Sequence, residues 1–144
     1  MQKSEVSFST RRRVLLIQML YALSMNSDEF EGLSEKEIEI ILFNASVASR
    51  YKSEDNSPDV MILMKILEKL TEIDDAVEKN CKTSSRLSKV VLAILRVGSY
   101  ELKYCEHKHT VGNIIKDYLN IAVAFDHDVE VGFINGILDK VYGD

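Results

Sequence analysis

The sequence is poor in the residues that make turns. It contains one proline, Pro58, six glycines and no tryptophan in 144 residues. Sandwiches and barrels join many short strands through turns rich in Gly and Pro, so this scarcity disfavours an all-β fold. Long stretches of Leu, Ile, Val, Lys and Glu favour helices instead. With 46% hydrophobic and 28% charged residues, the composition is that of a globular domain rather than a disordered chain.

Cysteine is also scarce, with only Cys81 and Cys105. A secreted scaffold of this size that depends on disulfides usually carries more cysteines, so we interpret these two as reduced thiols. No apolar run reaches the roughly 18 residues that a membrane-spanning helix needs. The first residues also lack the pattern of a signal peptide. The sequence therefore predicts a cytoplasmic protein that does not associate with a membrane.

Positive charge is in deficit over the chain but concentrated near its start. The formal net charge is −5. Residues 1–25 hold Lys3 and the arginines of the RRR run against Glu5 alone, which gives +3 there and leaves −8 on the remainder. An acidic body repels polyanions. Any contact with a nucleic acid should therefore be small and shared with a partner.

The spacing of apolar residues predicts an all-α bundle of about six to seven helices. We expect a flexible tail over residues 1–8 and a single all-helical domain over residues 9–144. The first helix should begin at Ser9 or Thr10, both favourable N-caps. A second helix should begin at Ser34 with a capping-box pattern. After the linker KSEDNSPD, with Ser57 as a cap, a long third helix should begin at Pro58.

The block RLSKVVLAILRVGSYELKYC is apolar nearly all round, which is typical of a helix in the middle of a bundle. Gly98 within this block costs about 1 kcal/mol relative to alanine, so we expect a neighbouring helix to approach closely there. Thr110 should cap a fifth helix, and DHD precedes a sixth. Gly132 and Gly136 lie four residues apart in that last helix and predict another close helix contact.

Arg11, Arg12 and Arg13 are the first candidates for a functional site. Guanidinium groups match phosphate oxygens bidentately. At about 100° per residue, Gln18 falls on the same helix face as Arg11, and Tyr21 flanks them. Charge, an amide and an aromatic ring together suit single-stranded RNA. Arginines are unfavourable at the positive end of a helix dipole, which also favours a nearby polyanion. The alternative is a solvated basic turn without a ligand.

Catalytic and metal-binding patterns are weak. The sequence has no glycine-rich phosphate loop, nucleophile elbow or metalloprotease helix motif. His107, His109 and the DHD segment offer metal-ligand side chains, but neither cysteine has a paired spacing. The acidic cluster EIDD, with Glu72, Asp74 and Asp75, has no basic partner set beside it in sequence. We therefore expect an exposed charge run there, no metal, no cofactor and no enzyme activity.

Three blocks, in order and at suitable spacing, carry a resemblance to a known family. They are STRRRVLLIQMLYAL, RLSKVVLAILRVGSYEL and FDHDVEVGFINGILDKVY. The chain resembles the NusB family of bacterial transcription antitermination factors. With the segment IIKDYLNIA, the resemblance covers roughly half of the chain.

The resemblance implies an all-α fold of two packed three-helix units. It also implies a partner, the ribosomal small-subunit protein NusE, with which the family binds boxA-type RNA. This pair acts within the RNA polymerase antitermination complex against premature termination on ribosomal RNA operons. The family's RNA-binding positions fall on Arg11, Arg12, Arg13, Gln18, Tyr21 and Phe133. Asn135 and Asp139 match the family as structural residues.

The chain departs from the family's pattern at two places. Val91 and Leu92 stand where the family has a charged pair in its central helix, and Lys116-Asp117 replace the usual asparagine-glutamate. Val91 and Leu92 are therefore the candidate partner-binding residues, with an apolar contact in place of a charged one. The acidic body and the altered central helix leave an alternative function. The protein would then be a helical protein-interaction adaptor, or a homodimer, without RNA binding.

Overall fold

The computed structural model of the protein describes residues 7–26, 58–81 and 87–143, and these residues form six α-helices. The predicted all-α fold is confirmed. The predicted helix from Ser34 and the predicted cap Ser57 lie outside the described residues. The helices are α1 (Thr10–Asn26), α2 (Pro58–Glu68), α3 (Leu70–Asn80), α4 (Lys89–Tyr104), α5 (Val111–Phe125) and α6 (Val131–Gly143).

Hydroxyl side chains cap three of these helices. Ser9 Oγ accepts a hydrogen bond from the backbone N–H of the residue three positions later at 3.1 Å, in front of α1. Ser88 and Thr110 do the same for α4 and α5, each at 3.2 Å. Each such cap typically stabilises a protein by about 1 kcal/mol. Pro58 opens α2, as predicted, because its fixed φ suits a first helical position.

The predicted long third helix is interrupted, which corrects the sequence interpretation. Lys69 adopts φ −99° and ψ 6° between α2 and α3, which lies outside the usual helical region. Its N–H reaches the carbonyl oxygens of Lys65 at 3.3 Å and Ile66 at 3.1 Å. The break lets α2 pack against α1 while α3 packs against α6. A single straight helix would direct the apolar side chains of both segments toward the same side.

Helix α4 lies at the centre, because it packs against each of the other five described helices. Helices α4, α5 and α6 also contact one another and form a three-helix unit. This position explains why the apolar residues of α4 point in nearly every direction. None of the described helices is both long and apolar enough to cross a membrane. The largest fully buried side chains are Tyr118, Leu16, Ile17, Met19, Leu20, Leu23, Leu63, Ile66, Ile73 and Ile94.

Phe8 belongs to the core rather than to the predicted tail. Its side chain is buried and joins the same apolar cluster as α1. The carbonyl oxygen of Ser7 accepts a hydrogen bond from Arg12 at 2.7 Å. The tail expected over residues 1–8 is therefore corrected at Ser7 and Phe8, because burying an aromatic ring stabilises the fold.

Gly98 confirms the predicted close approach of a neighbouring helix. A Cβ at this position would lie 2.9 Å from Leu138 Cδ2 and 3.6 Å from Tyr118 Cδ2. Gly132 and Gly136 do not behave as predicted, because a Cβ at either would meet nothing within 4 Å. Both are exposed on α6. The spacing of the two glycines therefore did not indicate which side of α6 packs against neighbouring helices.

Alanine at the two glycines should have opposite effects. Gly136→Ala should raise the free energy of unfolding by about 1 kcal/mol, because alanine is the better helix former and meets no neighbour. Gly98→Ala gains the same propensity but overpacks the α4–α6 contact, which typically costs about 1–3 kcal/mol. Urea denaturation should place Gly98→Ala below Gly136→Ala by at least about 1 kcal/mol. Equal stability gains would contradict the close contact at Gly98.

Candidate nucleic-acid interface

An exposed face of α1 brings together three of the predicted site residues. Arg11 is exposed, Gln18 is half-buried and the Tyr21 side chain is 40% exposed. Met25, one turn further on, is 57% exposed. Seven residues advance a helix by about 10.5 Å, so the charged and amide groups lie two turns apart along one side. The buried face of α1 lies on the opposite side and contacts α4.

Arg12 turns away from this face toward α2. Its Nε donates to Asp59 Oδ1 at 2.8 Å, and its Nη1 donates to the carbonyl oxygen of Ser7 at 2.7 Å. Its side chain is 24% exposed. Arg12 therefore joins α2 and the segment before α1 to the first turn of α1. Asp59 offsets part of its charge.

Arg13 is buried, with its side chain 7% exposed. Its Nε and Nη2 donate to the two carboxylate oxygens of Glu101 at 2.8 and 2.7 Å. Its Nη1 donates to Asp117 Oδ2 at 2.8 Å. This is the bidentate geometry in which a guanidinium and a carboxylate bind most strongly. One side chain of α1 is thus bound to both α4 and α5.

Tyr118 completes the buried network, and Thr10 extends it to the surface. Tyr118 Oη donates to Glu101 Oε1 at 2.6 Å, and the Arg13 guanidinium carbon lies 5.5 Å from the centre of the Tyr118 ring. Thr10 Oγ1 donates to Asp117 Oδ2 at 3.0 Å. We call Arg13, Glu101 and Tyr118, together with the half-buried Asp117 and the exposed Thr10 at their edge, the buried ion network. It holds the first turn of α1 against α4 and α5.

Burial and charge shift the pKa values of two members of the network. Burial alone would lower the pKa of Arg13, but its hydrogen bond to Glu101, the charge of that carboxylate and the bond to Asp117 raise it above its usual value. Burial also raises the pKa of Tyr118 well above its usual value, and the nearby charge of Glu101 raises it further. The guanidinium of Arg13 acts in the opposite direction. Arg13 is therefore charged and Tyr118 neutral at physiological pH.

The three consecutive arginines thus occupy three different environments, because successive residues of a helix point about 100° apart. Arg13 shares the buried side of α1 with Leu16 and Leu20, three and seven positions later, and this spacing is the signal that marks it. The prediction that Arg13 binds a phosphate group does not fit the burial of its side chain. Its place in the structure indicates a positioning role. The RNA contacts of Arg11 and Arg12 stay predictions.

The candidate partner residues lie at the other end of α1. Val91 and Leu92 are half-buried in the first turn of α4. Lys89 Nζ, beside them, donates to the carbonyl oxygen of Ser24 at 2.9 Å. Ser24 is thirteen residues from Arg11, which corresponds to about 20 Å along a helix. The candidate partner surface is therefore separate from the arginine end of the candidate RNA surface.

Phe133 lies on α6 and is half-buried. It packs against the edge of the core. Its helix contacts α3, α4 and α5. The structure therefore places Phe133 on a different helix from the α1 face, with α5 in contact with both helices.

The predicted exposed acidic run is partly paired, which corrects the expectation of a cluster without a basic partner. Asp74 accepts two hydrogen bonds from Arg96 at 2.8 and 2.9 Å. Glu72 accepts one from Tyr104 Oη at 2.8 Å. Arg96 lies 22 residues from Asp74, so only packing of α3 on α4 brings them together.

One of the histidine candidates, His107, makes local contacts. His107 Nε2 lies 3.1 Å from the carbonyl oxygens of both Glu101 and Leu102, at the end of α4. Among residues 7–26, 58–81 and 87–143, no three His, Cys, Asp or Glu side chains form a group that could hold a metal ion. Cys81 and Cys105 are not joined in a disulfide bond.

These observations define an all-α bundle in which the exposed face of α1, beginning at Arg11, lies next to the buried ion network. The model of the NusB family matches residues 10–143. The chain belongs to the NusB family.

Three relatives match along most of their length. The transcription antitermination protein NusB of Borreliella burgdorferi is 30% identical over 90% of this chain and 89% of its own. The protein of that name from Campylobacter concisus is 28% identical over 94% of this chain and 98% of its own. The one from Clostridium botulinum is 29% identical over 87% and 90%. No solved structure matches the chain significantly.

Arg13→Ala should strongly destabilise the protein, because it leaves the buried Glu101 carboxylate without its cation. Removing one partner of a buried ion pair typically costs about 3–5 kcal/mol. Arg12→Ala is the matched control, since the more exposed Arg12–Asp59 pair should contribute about 1 kcal/mol or less. Chemical denaturation measures both. Equal losses of stability in the two variants would contradict the larger contribution expected from the buried Arg13 ion pair.

Tyr118 should make stability fall at alkaline pH. Its folded pKa is raised, so its contribution is complete below the unfolded pKa of about 10. It is lost as the pH rises further, because only the unfolded chain then releases the proton. At pH 8, Tyr118→Phe should be less stable than the unaltered protein by about 1.5–3 kcal/mol, because it lacks the hydrogen bond to Glu101. As the pH rises from 9 to 11, the free energy of unfolding of Tyr118→Phe should fall less than that of the unaltered protein. Parallel stability curves for the two proteins would refute this.

Proposed function

We propose that the protein is an RNA-binding transcription antitermination factor that acts without catalysis. It pairs with the ribosomal small-subunit protein NusE and binds boxA-type RNA. The pair keeps RNA polymerase from terminating prematurely on ribosomal RNA operons. Membership of the NusB family and the names of the relatives support the antitermination role. The observation that carries the RNA-binding part is the exposed α1 face with Arg11, Gln18 and Tyr21.

Each side chain of this face has a distinct role in the proposal. Arg11 binds phosphate oxygens with its forked donors, and Arg12 adds positive charge at the same helix end. Gln18 offers an amide to base edges, and Tyr21 offers a ring on which a base stacks. Phe133 adds a second aromatic contact from α6. Arg13 holds the first turn of α1 in place through Glu101 and Asp117.

The partner completes the interface. The chain carries a net charge of −5, so its own field opposes RNA over most of the surface. A basic partner docked at Val91 and Leu92 supplies the missing positive charge. The apolar character of these two residues favours contact with an apolar patch on that partner.

Arg11→Ala should weaken binding of a boxA RNA oligonucleotide, measured by fluorescence anisotropy with the ribosomal partner present. Losing one phosphate contact should make the slope of log affinity against log salt shallower by about 0.7 for single-stranded RNA. Arg11→Lys is the matched control, because it keeps the charge and should keep the slope. Arg13 is unsuitable for this experiment, since its replacement should strongly destabilise the protein.

Tyr21→Ala should weaken the same complex without changing its salt slope, at a cost of about 1–3 kcal/mol for one stacked base. An RNA affinity that neither variant changes would count against the proposed face. Light scattering tests the alternative directly. A tight homodimer that covers Arg11 and does not bind RNA would support the adaptor function instead.

A further inference from the structure

The exposed side of α5 lies directly beside the arginine end of α1. We propose that the RNA-binding surface continues from α1 onto α5. Lys116 is then a further phosphate-binding residue, flanked by the amides of Asn113 and Asn120. This inference rests on the proposed RNA-binding function and extends its site to a second helix.

Asp117, the neighbour of Lys116, fixes where α5 lies. Asp117 Oδ2 accepts hydrogen bonds from Thr10 Oγ1 at 3.0 Å and from Arg13 Nη1 at 2.8 Å. These two donors flank Arg11 in the first turn of α1. The middle of α5 is therefore held against the helix end that carries the proposed phosphate contacts. A strand bound at Arg11 has the outer side of α5 as its neighbour.

Helix geometry puts the three polar residues on that outer side. Asn113, Lys116 and Asn120 are all exposed. Their spacing of three and four residues places them on one face over two turns, or about 10.5 Å. The core-facing side of the same helix carries Ile114, Ile115, Tyr118, Ile121 and Ala122. Asp117 is half-buried between the two sides, toward α1.

The charge on this side of α5 favours a polyanion. Helix α5 contains only two charged residues, Lys116 and Asp117. The carboxylate of Asp117 is bound to the guanidinium of Arg13, which offsets its charge. The ammonium group of Lys116 therefore dominates the outer side, on a chain whose net charge is −5. A lysine binds phosphate as a point charge, and asparagine amides offer both donors and acceptors to base edges.

The position of α5 also connects the parts of the proposed site. Helix α5 packs against α1, which carries Arg11, and against α6, which carries Phe133. A single strand that contacts both helices therefore has a direct path across α5. Without a contact there, an RNA chain would pass over this helix with no group holding its phosphates.

The test compares Lys116→Ala with the charge-matched control Lys79→Ala. Lys79 is exposed on α3, a helix that packs against α2, α4 and α6. The probe is a boxA RNA oligonucleotide with the ribosomal partner present. Lys116→Ala should lower affinity about threefold to tenfold and make the salt slope shallower by about 0.7. Lys116→Arg should restore both, and Lys79→Ala should change neither. Replacing Asn113 and Asn120 by alanine should reduce discrimination between boxA and scrambled RNA at an unchanged salt slope.

The outcomes separate this inference from the function on which it rests. If Arg11→Ala lowers RNA affinity and Lys116→Ala does not, the α5 surface is refuted and the proposed function stands. If the unaltered protein with its partner binds no RNA, both are refuted. If Lys116→Ala weakens binding of the ribosomal partner in the absence of RNA, α5 is a protein-docking surface and the inference is overturned. Circular dichroism of each variant confirms that it is folded.

Discussion

The bidentate ion pair between Arg13 and Glu101 is the interaction on which the arrangement of the described helices depends. It is buried on both sides, and its oxygens and nitrogens are shared with Asp117 and Tyr118. A buried charge is tolerated only when it is paired and hydrogen-bonded. The network therefore accepts only one placement of the first turn of α1 on α4 and α5. Apolar packing alone would leave that turn freer to shift.

This constraint links the core of the protein to its surface. Arg11 and Arg12 adjoin Arg13 in sequence, so the direction in which they point follows from where Arg13 is held. Because Asp117 belongs to the same network, the outer side of α5 is held beside them. An arginine that contacts no ligand thus orients the residues proposed to contact RNA. The half-buried Val91 and Leu92 lie at the opposite end of α4 from Glu101, which keeps the proposed partner surface apart from the RNA surface.

Local features of the fold followed from the sequence. The caps at Ser9 and Thr110 and the start of α2 at Pro58 depend on chemistry within one turn, and a sequence displays that chemistry directly. The all-round apolar character of α4 correctly indicated a central helix. The break at Lys69 was missed because the apolar spacing runs through it. What bends the chain there is the separate packing of α2 and α3 on different helices.

The candidate site also combines features that the sequence predicts with features that only the fold decides. The sequence by itself determined that a cationic run begins an amphipathic helix, with Gln18 and Tyr21 on the side of Arg11. It also determined that the rest of the chain is acidic. Only the tertiary structure decided that Arg13 is an internal cation while Arg11 is exposed, because its partners Glu101 and Asp117 lie 88 and 104 residues away. Helical periodicity fixes which side chains share a face. Which face is buried, and against which charges, depends on contacts between distant segments.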